Sequence, residues 1–167
     1  VFAVDFTGSG NWESAGSWTP AGGPPDAGDS IQFSSTLDVN QDEEFGDSGT
    51  SSNWTGGELH INRNSATPVT LTHSGNSTFN YTFTGGLTRL RYQGSTGGGR
   101  FLNSSGSTFN HNTTQHLYVG YGAGTFQNDG TLGLEGTGNF IVFGGPIQFI
   151  QSRGAVIERT TTGEGDT

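Results

Sequence analysis

The chain has 167 residues, enough for one domain with a real core, of which 29 % are hydrophobic. Gly, Thr, Ser and Asn make up about half of it, yet twelve Phe, four Tyr and three Trp are more aromatic residues than a disordered chain carries. With no Cys, Met or Lys and a net charge of −9, the composition excludes a disulfide scaffold, zinc–thiolate chemistry and a thiol nucleophile. The lack of any basic patch excludes nucleic acid as a partner.

The sequence opens on Val1 rather than Met, as does a chain whose export signal has been removed or whose end has been trimmed. Secretion, to the extracellular space or the cell surface, is the expected location. No apolar run approaches the length of a membrane helix, so no membrane span is expected.

Helical periodicity is absent. Short strand-like runs recur instead, over residues 1–6, 30–34, 59–62, 69–73, 79–83, 87–92, 116–119, 140–143, 147–151 and 155–159, most of them separated by Gly-containing turns. The first run is unusually apolar for a terminus. The stretch that follows holds Trp12, Trp18 and Trp54, with Pro20, Pro24 and Pro25 among them. It shares no period with the later chain.

The second half repeats. Phe101-Leu-Asn103-Ser-Ser-Gly106 returns as Phe126-Gln-Asn128-Asp-Gly130 and as Phe149-Ile-Gln151-Ser-Arg-Gly154, and the segment 116–122 returns at 139–145. Residues 87–94 resemble an earlier copy of that segment, with 95–99 inserted after it. A period in the low twenties with two or three short strands suits one turn of a parallel β-solenoid (β-helix). Matching Asn and Gln positions would then stack as hydrogen-bonded ladders between turns. The rival reading of many short strands is an antiparallel β-sandwich.

The expected organisation is an N-terminal capping region, residues 1–58, followed by solenoid coils over 59–167 in one continuous domain. A repeat stack needs an atypical end piece, and Trp12, Trp18, Ile31 and Phe33 are its predicted core. Asn11-Trp12, Trp18 and Pro25-Asp-Ala-Gly-Asp29-Ser-Ile31-Gln-Phe33 also carry a resemblance. This pattern resembles the opening module of large bacterial cell-surface proteins of the autotransporter-associated β-strand-repeat type, seen in planctomycete-like bacteria. The resemblance implies an exported surface protein on a β-helix and brings no catalytic residues with it.

Motifs for chemistry are sparse. His60, His73, His111 and His116 lack metal-site spacing, and no nucleophile elbow, phosphate loop or dinucleotide fingerprint occurs. Asp38, Asp42, Glu43, Glu44 and Asp47 form the densest carboxylate stretch, readable as a Ca²⁺ site or as a solvated acidic loop. No other cofactor is expected. Arg89 and Arg91, two apart, share one face of a strand, for solvation or for an anionic sugar. Asn53, Asn76, Asn80, Asn103 and Asn112 stand in Asn-x-Ser/Thr sequons, candidate glycosylation sites.

Charge is unevenly placed, with ten acidic residues and no Arg in 1–62, against six Arg and five acidic residues in 63–167. An uncovered solenoid end is a template for another strand. Val1, Phe2, Val4 and Phe6, with Arg153 and Arg159 near the far end, are therefore candidates for head-to-tail self-association. The expected function is an extracellular structural or adhesive protein, with a filament subunit as one form of it. The alternatives are a carbohydrate-binding module and a β-helix polysaccharide-active enzyme. The partners these readings name are a second copy of the chain and extracellular polysaccharide.

Overall fold

A computed structural model of the protein describes residues 5–20, 24–49, 51–85, 88–92 and 98–159, with the side chains of Asp5 and Phe6 excluded. It is an all-β fold, 54 % strand and 2 % helix, whose parallel strands stack as a β-solenoid of about six turns. The solenoid reading holds, and the parallel ladders rule out the antiparallel sandwich. No helix among the described residues is long and apolar enough to cross a membrane.

The chain enters on β1 (Asp5–Asn11), passes a 3₁₀ turn at Ala15–Ser17 and returns as β2 (Trp18–Thr19). Each following turn lays one strand on each of three faces. The first turn is β3 (Ser30–Val39), whose two ends serve the first and second faces, and β4 (Glu43–Phe45) on the third. Next come β5 (Ser51–Trp54), β6 (Leu59–Ile61) and β7 (Val69–His73), then β8 (Thr78–Tyr81), β9 (Thr88–Tyr92) and β10 (Gly99–Asn103). The fourth turn is β11 (Thr108–His111), β12 (Leu117–Gly120) and β13 (Gly124–Asn128). The fifth is β14 (Thr131–Leu134), β15 (Phe140–Phe143) and β16 (Ile147–Gln151), and β17 (Val156–Arg159) begins the sixth. Because β3 runs through a corner, the first two faces form one twelve-stranded sheet, and the third face is a separate five-stranded sheet.

The repeats read from sequence are the register of the ladders. Phe101 pairs with Phe126 and Phe126 with Phe149, while Leu117 pairs with Phe140. The earlier copy also holds, since Thr88 pairs with Leu117. Gly99, placed in the insertion by the sequence, is instead the first residue of β10.

Strand alternation sends every second side chain inward, which is why 29 % hydrophobic residues suffice. Inside, Leu37, Leu59, Leu90 and Val119 line up on the second face. Phe33, Trp54 and Tyr81 do so on the first. Phe101 and Phe126 stack at 5.2 Å on the third.

The parallel ladder begins earlier than residue 59. β1 already pairs parallel with β3, and the boundary drawn at 58/59 falls inside the second turn, between β5 and β6. The sequence hid these coils because their spacings vary, 21 residues from Phe33 to Trp54 but 27 from Trp54 to Tyr81. The cap proper is smaller. β2 pairs antiparallel with β1, and Trp12 and Trp18 meet edge to face at 5.0 Å, with the Trp18 indole N–H donating to the Trp12 carbonyl at 2.7 Å. All four predicted core residues, Trp12, Trp18, Ile31 and Phe33, are buried. Ile31 and Phe33 belong to the first coil beneath the cap.

Candidate functional site

Outward positions of the second face bring together charges from three successive turns. Asp38, His60 and Arg91 are register partners on β3, β6 and β9. His60 is held between two carboxylates, Nδ1 at 2.6 Å from Asp38 and Nε2 at 2.8 Å from Glu58. Arg63 reaches both oxygens of Asp38 at 3.3 and 3.0 Å. Arg89 and Arg91 each approach Glu58 at 2.9 Å. The two guanidinium groups also lie 4.9 and 4.8 Å from the centre of the Tyr121 ring, a cation–π arrangement. Tyr121 takes φ +63° to reach them, a conformation that costs a non-Gly residue free energy.

This cluster of acid, imidazole and guanidinium groups on adjacent coils is the kind a polysaccharide-active site would use. No motif or repeat in the sequence marks it, because its members stand at unequal spacings on different strands. Its chemistry, however, is spent internally: each carboxylate oxygen already has a partner, as do both nitrogens of His60. The arrangement acts as a polar clasp across the first four turns. Of the nearby tyrosines, Tyr92 is fully buried and Tyr121 lies against the two Arg. Tyr118 remains half-exposed on the same face.

The acidic stretch does not assemble as a Ca²⁺ site, and among the described residues no group of three His, Asp or Glu is arranged to hold a metal ion. The reason is strand alternation. Asp38 turns to His60 and Arg63, Asp42 accepts the Thr70 backbone N–H at 2.7 Å, and Glu44 accepts from Ser74 on the third face. Asp47 lies past β4 and is not gathered with them. Glu43 lies in register with the inward Leu71. Burial pushes its carboxyl up, opposed by a bond from Gln41 and reinforced by Glu13.

A third region is the far end of the stack. All the large hydrophobic residues exposed among the described residues lie there, between 37 % and 52 % exposed: Val142, Phe143, Phe149, Ile150, Val156 and Ile157. Val142, Phe149 and Ile157 continue inward rows, pairing with Val119, Phe126 and Leu132. They occupy core positions that no coil among the described residues overlies. Arg153 and Arg159 are exposed on this coil.

At the opposite end, Val1, Phe2 and Val4 lie outside the described residues. Phe6 pairs within its own molecule, its backbone in register with Ile31. β2 already lies along part of β1's other edge, so β1 itself is paired in cis on both sides.

The sequons divide. Asn76 and Asn112 are exposed, whereas Asn53 and Asn80 are bonded to each other along the first face. Asn103 is fully buried, its amide nitrogen donating to Asn128 and to the Thr131 carbonyl, so it cannot serve as a glycan acceptor in the folded protein. No family model, curated protein or solved structure matches the chain.

Proposed function

We propose that this chain is an extracellular structural or adhesive solenoid that assembles end to end, the last coil of one copy receiving the acidic head of another. The observation that carries the reading is the contrast between the two ends. The head is closed by Trp12 and Trp18, while the other end presents inward-row residues on which nothing among the described residues is stacked. Burying apolar area at ~25 cal/mol per Å² is a strong drive to cover such a surface.

Charge favours a second copy in head-to-tail order. The first 62 residues carry ten acidic groups and no Arg, while Arg153 and Arg159 sit on the open coil. A contact between unlike surfaces propagates into fibres unless the rotation closes a ring. Since β1 is paired in cis, the docking surface is the outside of the cap rather than a released terminal strand. The resemblance of the opening module to bacterial cell-surface proteins supports the extracellular placement.

Sedimentation velocity over a concentration series tests the reading. Association should rise with concentration and disappear in the double variant Phe149→Asp, Ile157→Asp, whose circular dichroism stays β-rich. Arg153→Glu with Arg159→Glu should weaken association most at low salt. A native chain that stays monomeric at every concentration and salt would overturn the proposal, as would stronger association after charge reversal.

A further inference from the structure

We propose that a groove at the corner between the second and third faces binds a linear, uronate-containing polysaccharide. The groove encloses about 440 Å³, within the range of ligand sites. It crosses four turns, from Pro68 before β7 to Pro146 before β16. At the ~4.8 Å spacing of stacked strands it is long enough for a short oligosaccharide lying along the solenoid axis.

The floor is bare backbone for a packing reason. A Cβ on Gly99 would lie 2.7 Å from the Tyr92 ring, and one on Gly124 only 2.2 Å from it. Both glycines sit at inward positions over this buried tyrosine, so glycine is required there and the floor is backbone alone. One wall is a register row, with Thr70 paired to Arg100, Arg100 to Thr125 and Thr125 to Gln148. The wall thus offers a hydroxyl, a guanidinium, a second hydroxyl and an amide at successive steps. That periodicity suits a polymer better than a compact ligand.

Charge identifies the kind of polymer. Among the described residues no carboxylate lines the groove, in a protein of net charge −9. Arg89 and Arg91 are spent on Glu58 and Tyr121. Among the described residues Arg100 makes no ion pair and one side-chain hydrogen bond, donated by Nη2 to Gln127 at 2.5 Å, and its buried Nε has no partner. The side chains of Thr70, Thr125 and Gln148 make no hydrogen bond among the described residues. A planar, partly buried guanidinium with unspent donors is suited to a carboxylate, and the flanking hydroxyl and amide groups to sugar hydroxyls. Together they select a glycan that carries carboxylates along a linear backbone.

The site does not depend on end-to-end association, and the two can be tested apart. Isothermal titration calorimetry on the full chain, and on the Phe149→Asp, Ile157→Asp variant, would use hexagalacturonate and neutral cellohexaose as probes. Hexagalacturonate should bind both proteins, with affinity falling as salt rises, and cellohexaose should bind roughly tenfold more weakly or worse. Arg100→Gln should cost a similar factor with an unchanged circular dichroism spectrum. Thr125→Glu, placing a carboxylate in the wall, should abolish binding. Arg63→Gln, on the second face, should leave it intact. Absence of hexagalacturonate binding, equal binding of cellohexaose, or full affinity in Arg100→Gln would overturn the proposal.

Discussion

His73 shows how a single residue joins the aromatic and polar parts of the core. Its ring stacks on Phe45 at 5.2 Å, and Nδ1 lies 2.8 Å from the Asn103 carbonyl oxygen. The Asn103 amide nitrogen is already committed as a donor elsewhere, so the histidine must carry its proton on Nδ1. Burial depresses its pKa from 6.5 to about 4, with the Asn103 bond opposing the shift. The folded protein thus holds this imidazole neutral where the unfolded chain protonates it. Its contribution is complete above pH 6.5 and is lost as pH falls toward 4, by roughly 3 kcal/mol in all. Urea midpoints measured between pH 7 and pH 4.5 should fall more steeply for the native chain than for His73→Gln.

Two amide ladders set the scale of the individual strand. On the third face, Asn103 donates to Asn128 at 2.7 Å and Asn128 to Gln151 at 3.0 Å, continuing the line from His73. On the first face, Asn80 donates to Asn53 at 3.2 Å and Asn110 to Asn80 at 3.3 Å, on outward positions. The chemistry is the same but the cost of breaking each ladder differs, since water can replace only the outer bonds. Asn103→Leu strands the His73 N–H and the Asn128 carbonyl in a dry core and should destabilise by about 3 kcal/mol or more. Asn80→Ala should cost less than about 1 kcal/mol. Chemical denaturation of the two variants gives the comparison directly.

For the whole molecule, stability is that of a stack in which each turn rests on its neighbours. The head is sealed by Trp12 and Trp18, and the clasp of Asp38, His60, Glu58, Arg89 and Arg91 ties the early turns together. Among the described residues the last turn has a neighbour on one side only. Native-state hydrogen exchange should therefore show protection rising from β15–β17 back toward β7–β10, the open end exchanging through local opening. Uniform protection along the stack in dilute protein would contradict that picture. At concentrations where copies associate, protection of β15–β17 should increase.

The repeat of Phe101, Phe126 and Phe149 pointed to the solenoid from sequence, because identical positions on successive turns must be filled by similar side chains if they are to stack, and the parallel ladders decided it against the sandwich. The tryptophan-rich opening likewise marked the cap core, since large apolar residues outside a repeat have only its end to cover. Strands such as β5 and β11 escaped notice because their outward positions are Ser, Asn and Thr, and half a strand's residues say nothing about burial. The second-face clasp was illegible for a different reason. Asp38, Glu58, Arg89 and Tyr121 are separated by irregular spacings, and only the register of the ladders, set by loops of unequal length, makes them neighbours. The same register decided that Asn103 lies inside, that the acidic stretch disperses over different faces, and that Arg100 stands without an acidic partner beside a floor of glycine.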